Sequence, residues 1–463
     1  MAYSIFDDFR RAVQNEDGYL LASTITPRAP EHDGGRLYDF YRTTNHYSVQ
    51  TDFRYAIVYN NTAGLSKTEG NHWLEVYVVY WKAIGQLRVA EELTNQGKDK
   101  EAEWNKVYDA WRDVANALIK GYSSSAFPAW TIPCLYVAGK YLRAFAIKSD
   151  AAAAKFRKNT TFNAGLQDDI AGAMSTNEKL EDAARQINRT FSLCISDRAP
   201  LEESRKWGVY YTTNLLFKTY FKLNAIGLSK NILRSLQATK TDMPPLEAFP
   251  KSHQVTFKYY VGVILFLEED YVQAEENLTE AWQLCHQDAQ KNRELILTYL
   301  VPCHLLTTHT LPTFELLAPY PRLQELFAPL GQCIKRGDLA GFDAALAAGE
   351  DEFVKRRIYL TLERGRDIAL RNLFRKVFVA GGFEDPREGD DRGQKIRKTR
   401  VPIAEFGAAL MIGMGHTQER MEQEEVECLI ANMIYKNLMK GYISRTHNML
   451  VLNKKGAFPG TGI

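Results

Sequence analysis

The chain has 463 residues, 45% of them hydrophobic, and its 58 lysines and arginines nearly balance 56 aspartates and glutamates. This length exceeds what one compact core usually holds, so we expect two or three structural units or an elongated repeat. The balanced charge argues against a protein that coats nucleic acid along its whole surface. The first residues carry charges where a signal peptide needs an apolar core, and no stretch approaches the roughly 20 apolar residues of a membrane span, which predicts a soluble intracellular protein.

Helical periodicity dominates the first third of the chain. A first helix is predicted over Tyr3 to Asn15, and aromatic residues then recur at spacings of three and four. Such a stripe could bind a ligand or a base, but at helical spacing it is typical of the core between packed helices. The stripe consists of Trp73, Tyr77, Tyr80, Trp81, Trp104, Tyr108 and Trp111. Lys148 to Thr176 is polar and alanine-rich with weak periodicity, which predicts a loop or a poorly ordered insertion.

Between Ser204 and Leu360 the apolar pattern falls into pairs of helices. The first predicted pairs are Trp207 to Leu223 with Ser229 to Gln237, and Val255 to Leu267 with Tyr271 to Cys285. In the second pair, Gly262, Ala274 and Ala281 fall where tetratricopeptide-like repeats place small residues for close helix contact. A helix over Phe353 to Leu362 completes the last pair. Stacked pairs leave a concave face that suits peptides or partner subunits, so this region is predicted to be a binding scaffold.

The pattern changes again after Asp367. A helix that begins there ends at Gly381-Gly382, and Phe383 to Arg400 then lacks apolar periodicity. Its acidic half precedes a basic half, so we expect this segment to be mobile. Val401-Pro402 should begin a short helix, because proline suits the first helical position.

The last predicted elements are a helix and a hairpin. From Gln423 onward, Val426, Leu429, Ile430, Met433, Ile434 and Leu438 form one amphipathic stripe, and Gly441 is predicted to end the helix. Tyr442 to Arg445 and Met449 to Leu452 are β-prone runs that indicate a hairpin. A helix followed by such a hairpin is the second half of a winged-helix unit.

These patterns predict an all-α fold, a tetratricopeptide-like helical-repeat solenoid capped by a C-terminal winged helix with a small β-hairpin. The predicted domains are residues 1–195, N-terminal helical repeats; 196–362, a second block of repeats; and 363–463, the winged-helix subdomain.

Three long runs carry a resemblance to a known family. They are SRKWGVYYTTNLLFKTYFKLN from Ser204, TFKYYVGVILFLEEDYVQAEENLTEAWQLCHQDAQKNRELILTYLVP from Thr256, and CLIANMIYKNLMKGYISRTHNMLVLNKKGAFP from Cys428. The chain resembles PCI-domain proteins, in the branch that holds the fungal signalosome-associated subunit twelve and its paralogue, the PCI subunit of the nuclear transcription-and-export mRNA complex. The resemblance covers roughly residues 190 to 460. It implies helical repeats that end in a winged helix, no catalysis, and work as a subunit.

The C-terminal tail carries the one local excess of positive charge in the sequence that suggests a binding mechanism. From Cys428 to Ile463 there are positive residues and no aspartate or glutamate. Cations on a helix end and a wing can neutralise phosphates, and the basic half of the segment before Val401 could add a flexible arm. The candidate nucleic-acid-binding residues are Lys436, Lys440, Arg445, His447, Lys454 and Lys455 in the tail, and Lys395, Arg397, Lys398 and Arg400 in the arm. The alternative is a solvated face, since the winged helix of most PCI proteins is an assembly surface; in this branch, the resemblance implies that paired winged helices form a nucleic-acid platform.

Catalytic motifs are missing from the sequence. It contains no GxxxxGK[ST] phosphate loop, no GxSxG elbow and no HExxH metal helix. The six cysteines lie far apart without a CxxC pair, so neither a disulfide framework nor a zinc site is indicated. We therefore expect no catalytic residue, no metal and no cofactor.

The resemblance and the basic tail together give the leading hypothesis. It is a non-catalytic, nuclear PCI scaffold, with or without a cytoplasmic pool, that pairs with a second PCI-like subunit of the Sac/Thp type and a small acidic Dss/Sem-type protein. It would present RNA or double-stranded DNA in transcription-coupled mRNA processing, splicing or export. The alternative is a purely structural subunit of a signalosome-like assembly with protein contacts only. An independent winged-helix transcription factor is disfavoured by the long repeat region and the near-neutral charge.

Overall fold

The computed structural model describes residues 5–59, 64–98, 102–160, 177–384, 397–415 and 421–462. The chain divides into two compact units, Met1–Tyr260 and Val261–Ile463. Helices fill both units, and a small antiparallel sheet lies in the second. The predicted domain boundaries after residues 195 and 362 stay predictions. None of the described helices pairs enough length with enough apolar surface to cross a membrane.

The first unit is built from helices, some of which begin at polar side-chain caps. Its helices are α1 (Ile5–Gln14), α2 (Gly18–Thr24), α3 (Arg36–Arg42), α4 (Val49–Arg54), α5 (Lys67–Asn95), α6 (Trp104–Ser123), α7 (Pro133–Thr160), α8 (Glu178–Ile195), α9 (Val209–Lys222), α10 (Gly227–Ala238) and the first part of α11 (Lys251–Leu267). The Asp17 carboxylate accepts from the backbone N–H of Tyr19 and Leu20 and so starts α2. Ser66 accepts from the N–H of Glu69 at the start of α5. These caps satisfy N–H groups that a helix leaves without an internal partner.

The aromatic stripe is the core of this unit, as predicted. All seven of its residues are buried, and Trp73, Tyr77 and Tyr80 are fully so. Trp73 stacks on Phe127 with the ring centroids 4.2 Å apart. One polar atom of the stripe has a backbone partner, since Trp111 donates from Nε1 to the carbonyl of Ala138 at 3.0 Å. The stripe therefore holds helices together and offers no open surface to a base.

The predicted loop over Lys148 to Thr176 is wrong in its first part. Helix α7 runs through to Thr160, and residues 161–176 lie outside the described residues. Residues Ala151 to Ala154 are all alanine, the residue type with the highest helix propensity. This propensity favours continuation of the helix without an apolar stripe. The buried Asp150 carboxylate accepts from the backbone N–H groups of Lys179 and Leu180 and so anchors the start of α8. The weak apolar periodicity of this segment therefore did not exclude a helix.

His253 is a buried imidazole near the start of α11. It is 8% exposed and packs edge-on against Tyr136 and Tyr211, with ring centroids 5.7 and 5.1 Å away. Its Nδ1 has no hydrogen-bond partner among the described residues. Burial lowers the pKa of His253 to about 4, and the positive charge of Lys218 adds to the shift.

Acidification should therefore destabilise the first unit through His253. An imidazole in the unfolded chain titrates near 6.5, so between about pH 6.5 and pH 4 only the unfolded state binds this proton, and stability falls by up to about 1.4 kcal/mol per pH unit. His253→Phe keeps the ring contacts but cannot titrate, so its melting temperature should decline less over this range than that of the wild type. The matched control is His286→Phe, at a side chain that is 78% exposed. Equal declines in all three proteins would contradict the assignment.

The second unit continues the helix pairs. Its helices before the winged helix are the end of α11, α12 (Tyr271–Leu284), α13 (Gln290–Thr307), α14 (Phe314–Leu317), α15 (Pro321–Arg336), α16 (Leu339–Ala348), α17 (Glu350–Lys355) and α18 (Tyr359–Glu363). The predicted close contact between α11 and α12 is present, because a Cβ at Gly262 would lie 2.6 Å from Leu278. Ala274 and Ala281 are fully buried.

One predicted helix of this region is two. The segment from Phe353 to Leu362 breaks at Arg357, which adopts a φ of 59° between α17 and α18. The N–H of Ile358 then bonds back to the carbonyl of Phe353 at 2.9 Å and closes the turn. The apolar residues match a single helix, but a left-handed backbone position inside the run ends it.

The winged helix begins with α19 (Gly365–Ala380) and adds α20 (Ile403–Gly413), α21 (Gln423–Tyr435) and the strands β1 (Arg400–Pro402), β2 (Gly441–Ser444) and β3 (Met449–Leu452). The predicted hairpin is β2 and β3, and the predicted inward residues of α19 include Ile368, Leu373 and Phe374, which are all buried. The prediction that Val401-Pro402 begins a helix is wrong, because Arg400–Pro402 is a third strand that pairs with β3 and the helix starts after it, at Ile403. Residues 385–396 of the segment expected to be mobile lie outside the described residues, while Phe383 and Arg397 at its two ends form a β-bridge.

The end of α21 also differs from the prediction. The helix stops at Tyr435, and Asn437 adopts the left-handed conformation, with a φ of 56°. Gly441 instead begins β2, where a Cβ would lie 2.3 Å from the carbonyl oxygen of Val451. Its glycine is therefore required by strand contact and not by helix termination. The predicted fold class is confirmed, with this third strand added to the hairpin.

Candidate nucleic-acid interface

The three-stranded sheet has two distinct ends. Its order is β1-β3-β2, with antiparallel neighbours. At one end, the turn Arg445–His447 followed by Asn448 connects β2 to β3. At the other end β1 and β2 begin and β3 finishes, and we call this the open end of the sheet. Arg400 pairs with Val451 and Gly441 with Leu452, which fixes the register there.

Five of the ten predicted binding residues gather at the open end. Arg400 begins β1 and Lys398 lies two residues before it. Lys440 directly precedes β2, and Lys454 and Lys455 follow β3 after one intervening residue. All five are exposed. The backbone here is paired beyond the strands, because the N–H of Asn453 donates to the carbonyl of Lys440 at 3.0 Å, and the N–H of Lys440 donates to that of Ala457 at 2.8 Å. The sheet thus brings together cations that lie up to 57 positions apart, from 398 to 455.

These five side chains have no carboxylate partner among the described residues. Among the residues that the structure describes, no carboxylate would compete with a phosphate that approached them. Each contact would release condensed counterions from the nucleic acid, so binding would depend strongly on salt. Contacts of this type position a nucleic acid but do not read its sequence.

Four other predicted residues are engaged within the protein. Arg445 Nε lies 3.1 Å from Glu427 Oε2, and the carboxylate of Glu427 is only 10% exposed. Lys436 Nζ lies 2.7 Å from Asp367 Oδ2 on α19. His447 shares a hydrogen bond with Ser444, and the Arg397 guanidinium lies 4.8 Å from the ring centroid of Phe383. Lys395 lies outside the described residues.

The main role of Arg445 is therefore to stabilise the fold through its ion pair with Glu427. Removing it would leave the nearly buried Glu427 carboxylate without its cation, and an unpaired buried charge is costly. Gln423 shares this network, since its Nε2 donates to Glu427 at 3.1 Å and to Asn448 at 2.9 Å. The network ties α21 to the hairpin turn, so the end of the sheet that holds Arg445 is braced rather than free.

Tyr442 is a surface residue that the sequence analysis did not single out. Its side chain lies on β2 beside the open end and is 63% exposed. Alternation along the hairpin could have placed it on the outward face, because Leu450 and Leu452 on β3 point to the core.

Comparison with known proteins identifies the family of the chain. The family described as PCI domain matches residues 347–454. A Neurospora crassa protein named Protein CSN12 homolog is 57% identical over 470 residues, which cover 99% of this chain and 100% of that protein. The chain belongs to the PCI-domain family. A Gibberella zeae Protein CSN12 homolog is 53% identical over 99% of both chains, and the Danio rerio PCI domain-containing protein 2 is 32% identical over 76% of this chain and 79% of its own.

The similarity extends further than the sequence runs predicted. The fungal relatives align across nearly the whole chain, so the first 190 residues share their ancestry as well. The PCI match begins within α16 and ends at Lys454. It therefore includes the winged helix and four of the five cations at the open end.

Proposed function

We propose that this PCI-domain protein is a non-catalytic scaffold subunit of a nuclear complex. It pairs with a second PCI-like subunit of the Sac/Thp type and a small acidic Dss/Sem-type protein, and it binds RNA or double-stranded DNA in transcription-coupled mRNA processing, splicing or export. The observation that carries nucleic-acid binding is the open end of the sheet. There Lys398, Arg400, Lys440, Lys454 and Lys455 are exposed together and have no carboxylate partner among the described residues.

The scaffold part of the proposal is supported by the helix pairs and by the family. Repeats of paired helices expose long surfaces that suit extended partners. Relatives that align over the full chain carry the name of a signalosome-associated subunit, Protein CSN12 homolog. A partner that binds only the folded chain would also raise its melting temperature by mass action.

The alternative is a purely structural subunit of a signalosome-like assembly. It is favoured by an apolar groove of about 300 Å³ between α20 and α21, lined by residues that include Ile403, Gly407, Met411 and Val426. Ile412, on α20, is 66% exposed. Such surfaces are typical of protein contacts, and under this alternative the lysines would be a solvated face.

Charge reversal at the open end separates the two functions. In the assembled complex, Lys440→Glu, Lys454→Glu and Lys455→Glu combined should weaken binding of RNA and DNA. If each lysine meets one phosphate, the slope of log affinity against log salt should lose about two to three units, at roughly 0.7 to 0.9 per contact. Folding and assembly should persist, because exposed substitutions usually cost within about 0.5 kcal/mol.

The control changes net charge by the same amount elsewhere. Lys222, Lys291 and Lys335 are exposed and lie outside the sheet, so their combined replacement by Glu should leave the salt slope near the wild-type value. Arg445 is left intact in both variants because its replacement by Glu would set two carboxylates side by side. Unchanged affinity and slope in the open-end variant would favour the structural alternative, and equal losses in both variants would mean a general charge effect.

A further inference from the structure

The outward face of the sheet carries an aromatic residue among the free cations. Arg400, Val451 and Tyr442 stand directly opposite one another across β1, β3 and β2. Opposite residues of antiparallel strands point to the same side. Arg400 and Tyr442 are exposed and Val451 is half-buried, whereas Val401 and Leu450 in the next row are buried. The row of Arg400 and Tyr442 therefore faces solvent, and the opposite face packs on the winged-helix core.

The next outward row adds two lysines. Side chains of a strand alternate, so Lys440 lies on the same side as Tyr442, about 7 Å along the strand, and Lys398 lies on the same side as Arg400. The backbone bond between Asn453 and Lys440 carries the pairing of β2 and β3 one row beyond the strands. Cations thus flank the tyrosine along its own strand and, at about 10 Å, two strands away.

The Tyr442 ring has no partner within the part of the chain that the structure describes. It is 63% exposed, and among the described residues its hydroxyl makes no hydrogen bond and its ring meets no other ring or cation. Tyrosine suits a strand, but an exposed ring gains little there unless something covers it. An aromatic ring that lies open on a basic sheet surface matches the way proteins stack unpaired bases.

We propose that Tyr442 stacks on an unpaired base and that the open end of the sheet consequently prefers single-stranded nucleic acid to a duplex. The inference rests on the proposed nucleic-acid binding and names its substrate class. In a duplex the faces of the bases are covered by their neighbours, so the ring can meet only sugar and phosphate. In a single strand a base can turn onto the ring while adjoining phosphates reach Arg400 and Lys440. The half-buried Val451 between them gives the base an apolar floor.

The test compares two probes against a small set of variants in the assembled complex. The probes are an oligouridine RNA of about 15 nucleotides, within the range of single-strand site sizes, and a DNA duplex of the same length. Tyr442→Thr removes the ring but keeps a residue that favours strands. Tyr442→Phe keeps the ring. Tyr435→Thr is the matched control, since Tyr435 is 88% exposed at the end of α21.

Tyr442→Thr should lose about 5- to 150-fold in affinity for the single strand, the range that stacking of one base supports. Its affinity for the duplex and its salt slope on either probe should stay at the wild-type values, because the phosphate contacts remain. Tyr442→Phe and Tyr435→Thr should bind both probes as the wild type does. The slope separates this inference from the proposed function, which the lysine variants test through a change of slope.

Four results would overturn the inference. Tyr442→Thr could bind the single strand normally, or it could weaken the two probes equally, and either result would show that no base stacks on the ring. Loss of the partner subunits on purification of Tyr442→Thr would show instead that a protein covers this face. A wild-type complex that binds neither probe would remove the proposed function together with the inference.

Discussion

A chain that ends at Arg364 should aggregate or melt broadly, whereas the full chain should melt cooperatively. The cut removes α19, whose buried apolar residues include Ile368, Leu370, Leu373 and Phe374. At about 1.5 to 3 kcal/mol for each fully buried large side chain, their loss amounts to on the order of 10 kcal/mol, as much as the whole stability of a typical domain. The helices α15 and α16 would be left with their inner faces exposed.

The matched control is a chain that ends at Tyr260. It is also a large deletion, but it falls at the boundary between the two compact units and should leave the first unit soluble with a sharp transition. Melting would be followed by circular dichroism, and the soluble fraction by size-exclusion chromatography. A soluble fragment ending at Arg364 with a sharp, cooperative melt would show that the repeats of the second unit fold without the winged helix.

Gly337→Ala should strongly destabilise the second unit. Gly337 closes α15 with a φ of 67°, and a Cβ there would lie 2.8 Å from the backbone N and Cα of Leu373 on α19. Alanine at positive φ costs about 1 kcal/mol, and the clash with a helix backbone adds about 1 to 3 kcal/mol. For a unit of this size we expect the melting temperature to fall by roughly 5 to 15 °C.

Gly456→Ala isolates the backbone contribution. Gly456 has a φ of 68°, and a Cβ there would have nothing within 4 Å. Its melting temperature should fall by only about 2 to 4 °C, the effect of the dihedral angle alone. If the two alanine variants melted together, the close packing of α15 on α19 would be refuted.

The long amphipathic helices are the part of the fold that could be predicted from the sequence. The aromatic residues around Trp73 and Trp111 recur at helical spacing because one side of each helix is buried. Their spacing in the sequence therefore predicts which residues form the core. Where the structure depends on a single backbone angle or on a distant partner, the pattern carries no sign of it. Arg357 interrupts an unbroken apolar run with a φ of 59°. The strand at Arg400 exists only because β3, from far along the chain, lies beside it.

Which of the candidate binding residues are free of ion pairs could not be predicted from the sequence either. Counting charges from Cys428 onward finds cations without acids, yet Glu427, one residue before that window, holds Arg445. Asp367, 69 positions earlier than Lys436, holds that lysine. Sequence shows how many cations a segment has, while pairing in space determines which of them are free. The five residues at the open end of the sheet were all among the ten predicted, but nothing in the sequence separated them from the rest.

Because β3 is the central strand, we expect the three-stranded sheet to form in two steps. The β2-β3 hairpin closes over a short turn and can form within microseconds, whereas β1 must return across α20 and α21. Closing a longer loop costs only about 0.6 kcal/mol more for each doubling of its length. We therefore expect β1 to pair with β3 more slowly than the hairpin forms, although the pairing adds little to the free-energy cost of folding. Lys440, Lys454 and Lys455 arrive with the hairpin, and Lys398 and Arg400 only with β1. A polyanion that contacts both groups would bind the completed sheet alone, and at one hundred times its dissociation constant it would hold β1 in place by about 2.7 kcal/mol.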